Sequence, residues 1–171
     1  MINHFWRLLA KLLARPAIAD WIIARAMRTP YDHLIVCDGR IHRVSPIYPL
    51  EGQLSTGEHW YMRRWWLLRL GPLQVRVHHI MAEDIGRDLH DHPWPFRTFI
   101  LDGGYIERRE GVRPAWRKAG DTAAMGRGEF HRIAQVEQGG AWTLFCTWGE
   151  RKGWGFKSQS GQVIPHQEYV Q

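Results

Sequence analysis

The most informative part of the sequence is GRDLHDHPWPFRTFILDGGYIERREGVRPAWRKAGDTAAMGRGEFH, which covers residues 86–131. His90 and His92 are separated by one residue, so both side chains project from the same face of an extended backbone. Two imidazoles at one strand edge can share a metal ion. The sequence PWPF follows, and Trp94 and Phe96 within it predict a rigid apolar wall that holds the site and limits access of water.

Outward from this segment, short apolar runs alternate with turn residues. The strand candidates are residues 34–37, 40–44, 60–70, 73–81, 97–101, 105–109, 122–125, 131–136 and 142–148. Asp38-Gly39 and Gly71-Pro72 each separate two of these runs and predict hairpin turns. No repeated βαβ unit is present. The pattern therefore predicts a mainly β protein, built as a sandwich or a barrel.

The spacing of glycines and histidines resembles the two motifs of the cupin family. The matching segments are Gly86-(x3)-His90-x-His92 with Gly103-Gly104, and Gly120-(x5)-Gly126-x-Gly128-(x2)-His131. The first glycine is two residues closer to the histidines than usual, and Gly126 and Gln135 replace a common proline and asparagine. The resemblance implies a double-stranded β-helix, a small jelly-roll barrel in which His90, His92 and His131 bind a metal.

One ligand of the usual cupin motif is missing from this chain. The motif places a glutamate four or five residues after its second histidine, where this sequence has Phe96 and Arg97. A three-histidine site resembles that of cysteine dioxygenase and related dioxygenases. Neutral imidazoles leave a divalent ion its full charge and open positions for an anionic substrate and dioxygen. This implies iron(II), while zinc, manganese or nickel could occupy the same ligands.

The resemblance and the residue types also suggest where a substrate would bind. A guanidinium at Arg97 could hold a carboxylate or phosphate of the substrate through two hydrogen bonds. Trp94, Phe96 and Tyr105 are the candidate pocket-lining residues. The first functional hypothesis is therefore an oxygenase-like, metal-dependent oxidoreductase that acts on a small anionic molecule.

Two further functions stay open at the level of sequence. A cupin-type sugar isomerase or epimerase would use the metal to polarise a carbonyl, and Glu107 or Tyr105 to move a proton. A non-catalytic ligand-binding or assembly protein would keep a degenerate cupin site and use its helices as the working surface. Metal content and metal redox activity separate the three hypotheses.

Residues 1–30 differ from the rest of the chain in pattern and charge. Two apolar stretches at helical spacing are separated by Pro16, and this predicts an N-terminal helical arm before a barrel at 31–171, within one domain. The arm carries five basic residues against Asp20, a net charge of +4 out of +6. We expect it to pack on the barrel or a second subunit, with membrane or partner binding as the alternative.

The remaining sequence bounds the protein class and its location. Outside the arm the net charge is only +2, which argues against a nucleic-acid-binding groove. No apolar run approaches the length that spans a bilayer, and no secretory signal pattern is present. Cys37 and Cys146 have no disulfide or metal-finger spacing, so a reducing, cytoplasmic location is expected.

Overall fold

The structure is a computed structural model of the chain, and it describes residues 2–29, 33–36, 41–42, 60–84 and 86–169. These residues form two helices and eleven strands. The helices are α1 (Ile2–Leu13) and α2 (Pro16–Met27). The strands are β1 (His33–Val36), β2 (Ile41–His42), β3 (Trp60–Leu70), β4 (Leu73–Ile80), β5 (Leu89–His90), β6 (Phe96–Arg109), β7 (Ala115–Lys118), β8 (Thr122–Met125), β9 (His131–Thr147), β10 (Gly155–Lys157) and β11 (Val163–Pro165).

The long strands β6 and β9 run antiparallel and connect two parts of one continuous sheet, which are here called the first and the second sheet. The first half of β6 pairs with residues 141–147 of β9, and the sheet continues in the order β8-β6-β9-β4-β3-β1-β2. The second half of β6 pairs with residues 131–136 of β9, in the order β7-β6-β9-β5-β10-β11. This mainly antiparallel jelly-roll arrangement, preceded by two helices, confirms the predicted fold class.

Glycines allow both long strands to bend where the two sheets meet. Gly103 in β6 has φ +64°, and a Cβ there would lie 2.1 Å from the carbonyl oxygen of Gly140. Gly140 in β9 has φ +88°, and its Cβ would lie 2.7 Å from the carbonyl oxygen of Ile80. Only glycine fits such a close backbone approach at positive φ. The bend places His131 and the end of β6 beside β5.

The turns between strands follow the sequence pattern where the structure describes them. Gly71 takes φ +53° in the turn between β3 and β4, as its Gly-Pro pair predicts. Strands β1 and β2 pair antiparallel. The predicted turn at Asp38-Gly39 lies outside the described residues.

The helices pack on the outer face of the first sheet. The small residues Ala10, Ala19 and Ala26 are buried against that face, which allows close approach of the helix backbones. The strand residues in this cluster are Trp65, Val77, Phe99, Leu101 and Leu144. A separate apolar cluster, containing Ile80, Ile100 and Ile133, occupies the opposite face of the same strands. The helical arm is thus packed on the β structure, and the interior between the sheets is built from the other face.

Candidate metal centre

The three predicted metal ligands meet at the boundary between β5 and β9. His90 is the last residue of β5 and pairs directly with His131, the first residue of β9. His92 follows β5 by two residues. Their candidate ligand atoms all lie within 4.8 Å of one another, and the Nε2 atoms of His92 and His131 are 2.8 Å apart. The fold therefore brings all three histidines into one cluster.

Aromatic rings surround the histidine cluster on its interior side. The ring of Phe96 lies 4.7 Å from that of His92, and the ring of Phe145 lies 6.0 Å from it. The ring centroids of Trp154 and Phe156 lie 6.3 and 6.0 Å from that of His90. These large apolar groups exclude water from the cluster and lower the local dielectric constant.

Glu107 orients His131 from behind. Its Oε1 atom accepts a hydrogen bond from Nδ1 of His131 at 2.9 Å, which leaves Nε2 of the ring to face the cluster. Its Oε2 atom lies 2.8 Å from Nε and from Nη2 of Arg117, and 3.0 Å from Nε of Arg109. Glu107 is only 2% exposed. Two arginines therefore hold this carboxylate while it holds the histidine.

Asp84 has the corresponding position behind His90. Its Oδ2 atom lies 3.5 Å from Nδ1 of His90 and accepts a hydrogen bond from the backbone N–H of Ile133 at 2.7 Å. The Tyr61 hydroxyl donates to its other oxygen. Asp84 thus fixes the loop before β5 onto β9 and turns the Nε2 side of His90 toward the cluster.

Loss of solvent keeps His90 and His92 in the neutral state that binds metals. Loss of solvent lowers the pKa of His90 to about 4, although Asp84 opposes the shift, and holds the pKa of His92 well below its ordinary value. Burial alone would raise the pKa of Glu107, but the hydrogen bond from His131 and the ion pair with Arg109 outweigh it and lower the pKa to about 2. The neutral imidazole is the form required of a histidine that binds a metal.

The donor set fits a divalent first-row metal. Nitrogen ligands about 2.0–2.1 Å from an ion are about 3.0–3.4 Å apart when they occupy neighbouring positions. The 2.8 Å distance between His92 and His131 is close to this, and small side-chain rotations would bring His90 to the same range. Imidazole suits iron, zinc, copper and nickel. His90, His92 and His131 are therefore the residues that would hold the ion.

Arg97 lies away from this cluster. Its neighbour Phe96 faces the histidines, and consecutive residues of a strand point to opposite faces. The guanidinium of Arg97 lies 4.6 Å from the ring of Trp6 in α1 and donates to Oγ1 of Thr122 at 3.3 Å. Strand alternation therefore directs this side chain to the helices, and the substrate-binding role of Arg97 stays a prediction.

The other predicted pocket residues occupy different surroundings. Phe96 is 2% exposed and contacts His92, as expected of a wall residue. Trp94 lies 5.3 Å from the guanidinium of Arg76. Tyr105 is buried in the apolar cluster with Ile80, and burial raises the pKa of its hydroxyl far above the ordinary value. Tyr105 thus belongs to the interior packing of the sheets.

Sequence reasoning did not assign the orienting roles of Glu107 and Asp84. Glu107 shares a face of β6 with Arg109, and Arg109 pairs directly with His131. The signal was a run of charged residues at 107–109 within a predicted strand, where one side chain of the run must face the interior. Recognising it required the register between β6 and β9, which the sequence does not contain.

Comparison with known proteins finds solved structures that resemble part of the chain. No family model matches the sequence, and no curated protein matches it. Solved structures that resemble the chain include a cupin 2 conserved barrel domain protein from Rhodopseudomonas palustris, at 10% identity over 75% of this chain and 79% of that chain with a TM-score of 0.49. A cupin-2 domain from Rhodospirillum rubrum matches at 14% identity over 59% and 68%, TM-score 0.48.

A third similar structure is the polyketide cyclase of Streptomyces resistomycificus, at 15% identity over 55% of this chain and 69% of that chain, with a TM-score of 0.48. Two of these three neighbours are thus described as cupin proteins. The cluster of His90, His92 and His131 fits a cupin metal site.

Among the described residues, no helix has the length and apolar character to cross a bilayer.

Proposed function

We propose that this chain is a metal-dependent enzyme, oxygenase-like in its chemistry, that acts on a small anionic substrate. The observation that carries the proposal is the convergence of buried His131 with half-buried His90 and His92, in a cluster to which none of the described residues adds a carboxylate. Their ligand atoms lie within 4.8 Å, and Glu107 and Asp84 orient two of the rings. Such preorganisation is typical of a site that binds a metal for chemistry.

A bound divalent ion, for which we propose iron(II), would supply a Lewis acid with open coordination positions. The chain supplies neutral ligands, so the full charge of the ion is available to an anion. Phe96 and Phe145 exclude water beside His92. This environment strengthens every electrostatic interaction with a bound substrate.

Arg76 is the cation that we propose for substrate binding in place of Arg97. It lies on the interior face of β4 together with His78, and both act electrostatically on His92. Arg76 is 7% exposed, its guanidinium is 4.2 Å from the ring of Trp66, and it donates to the side chain of Gln74 at 2.8 Å. A fixed, buried positive charge beside the histidines favours a carboxylate or phosphate.

The isomerase or epimerase hypothesis receives less support from this geometry. An acid or base must reach the substrate proton that it transfers. Glu107 is 2% exposed and already bonded to His131 and Arg117, and Tyr105 is 4% exposed. These contacts favour orienting and packing roles for the two residues.

Oxygen uptake tests the proposed chemistry. Protein loaded with iron(II) is mixed with small carboxylates and phosphates in an oxygen electrode, and we expect uptake that depends on one class of substrate. The variant His92→Ala should lose it, Arg76→Gln should raise the KM for the substrate, and Arg97→Gln should match the wild type. Uptake that is equal in the wild type and His92→Ala would contradict the proposal.

A further inference from the structure

A cavity, here called the α1 cleft, lies between helix α1 and the turn that joins β7 to β8. Its volume is about 420 Å³, within the range of small-molecule sites. The helix contributes His4, Arg7, Leu8 and Lys11, and the β structure contributes Arg117, Gly120, Asp121 and Thr122. The three histidines of the metal centre do not line it, so the cleft is a separate site.

The charges around the α1 cleft are unbalanced. Arg7 and Lys11 are four residues apart on α1, so both project from one face of the helix. Asp121 is the carboxylate among the lining residues, and it also accepts a hydrogen bond from the backbone N–H of Lys118 at 3.1 Å. One carboxylate therefore faces two cationic side chains of the helix.

Arg117 adds further positive charge at the other wall. Oε2 of Glu107 lies 2.8 Å from Nη2 of Arg117 and 3.0 Å from Nε of Arg109. Because one carboxylate pairs with two guanidinium groups, the three side chains together keep a net charge of +1. A cavity with cations on both walls attracts an anion small enough to enter it.

We propose that the α1 cleft binds a phosphate-type anion. Guanidinium and ammonium groups are the side chains that bind phosphate oxygens most strongly, because each hydrogen bond is charge-assisted. Arg7 and Lys11 would approach the anion from the helix and Arg117 from β7. This site goes beyond the proposed enzyme activity and does not depend on a metal.

The phosphate group could come from a free molecule or from a lipid headgroup. Phe5, Leu8 and Leu12 of α1 are 58%, 54% and 43% exposed. An exposed apolar stripe beside basic residues suits the surface of an anionic bilayer. Arg7, Lys11 and Arg117 would bind the phosphate group in the same way in a free molecule and in a lipid headgroup. The experiment therefore has one arm for each source.

The first arm measures binding of inorganic phosphate by calorimetry, with the full chain carrying His92→Ala so that phosphate does not bind through a metal. Replacing Arg7 and Lys11 together by glutamine should weaken binding about tenfold or more. The control replaces Arg25 and Arg28 of the α2 end by glutamine. This changes the net charge equally, at exposed residues outside the cleft, and should leave affinity unchanged.

The second arm measures co-sedimentation with phosphatidylglycerol-containing vesicles, against phosphatidylcholine vesicles alone. Binding that requires Arg7 and Lys11 in this arm supports the site and identifies a lipid headgroup, and Phe5→Ser should then reduce it. Binding of inorganic phosphate that requires Arg7 and Lys11, and that Phe5→Ser leaves unchanged, supports a free ligand. The proposal is overturned if neither probe binds, if the cleft variant binds as tightly as the protein without it, or if the Arg25 and Arg28 control loses binding as much as the cleft variant does.

Discussion

Glu107 stands behind His131 with both carboxylate oxygens engaged. It accepts from the imidazole on one side and lies against Arg109 and Arg117 on the other. The carboxylate therefore acts on the metal centre through His131, as a positioning residue. Replacing Glu107 should therefore change the affinity for the metal, while the number of histidine ligands stays the same.

Replacing Glu107 by glutamine should weaken metal binding about 10- to 100-fold, the usual cost of losing an orienting partner behind a histidine ligand. Glutamine keeps an oxygen for Nδ1 of His131 but loses the charge that the arginines balance. Competition with a fluorescent chelator measures the affinity. The control Glu110→Gln removes an equal charge from an exposed residue that pairs with Lys157. Metal affinity at the wild-type level in Glu107→Gln would show that the contact does not orient His131.

The buried histidines should make the metal-free protein sensitive to mild acid. The pKa of His90 falls from 6.5 to about 4 on folding, so the unfolded chain binds a proton in this interval and the folded chain does not. This contribution to stability is complete above pH 6.5 and is lost as pH falls toward 4. The free energy of unfolding should fall by on the order of 3 kcal/mol over this window.

Urea unfolding of the metal-free protein between pH 7 and pH 4 measures this loss. The variant His90→Gln removes the titrating group and should show a shallower pH dependence than the wild type. An identical slope in the two proteins would mean that His90 is not held neutral by the fold.

At the scale of elements, the site depends on bends in two long strands. Gly103 and Gly140 let β6 and β9 pass from one sheet to the other, so that residues 131–136 reach β5. The same alternation that directs Phe96 to the histidines directs Arg97 to α1.

Substitution of Gly140 by alanine should destabilise the fold more than substitution of its neighbour Gly139. Both have positive φ, +88° and +92°, so each variant is strained by about 1 kcal/mol. A Cβ at Gly140 would also meet Ile80 at 2.7 Å, whereas one at Gly139 meets open space. Overpacking adds about 1–3 kcal/mol at Gly140. Chemical unfolding of both variants checks the difference, and equal losses would contradict the tight bend.

The contact between the helices and the first sheet is tested by a pair of arginine substitutions in α2. Ala26 is fully buried against the sheet, and Ala24 on the same helix is exposed. Ala26→Arg should cost several kcal/mol, roughly 3 or more, because it buries a charge without a partner, while Ala24→Arg should stay within about 0.5 kcal/mol. Thermal melting compares them. Equal melting temperatures would indicate that the helices do not depend on this face.

Much of the fold could be predicted from local patterns. Turn residues bound most of the strands, and the spacings around His90, His92 and His131 indicated the cluster that the structure contains. The role of Glu107 could not be predicted, because it depends on the register between β6 and β9. The substrate-binding role predicted for Arg97 came from the cupin motif. The alternation of side chains along β6 instead places Arg97 against α1.

At the scale of the whole molecule, charge and apolar surface are divided between the two faces of the first sheet. The two helices, which belong to the N-terminal segment 1–30 with its net charge of +4, cover the outer face. The histidine cluster lies on the inner side with Phe96 and Phe145. The α1 cleft and the metal centre are therefore distinct sites, joined by the contacts of Glu107 with Arg117 and His131. The central claim is that the inner site binds a metal.

Metal analysis of protein purified without chelator or nickel resin tests this claim most directly. We predict close to one divalent ion per chain in the wild type and loss of most of it in His131→Ala. The control is His79→Ala. His79 lies next to His78 in β4 and its ring stacks on that of Trp142, so this variant should keep its metal. A wild-type protein that stays metal-free after reconstitution with iron, manganese, zinc and nickel would contradict the account.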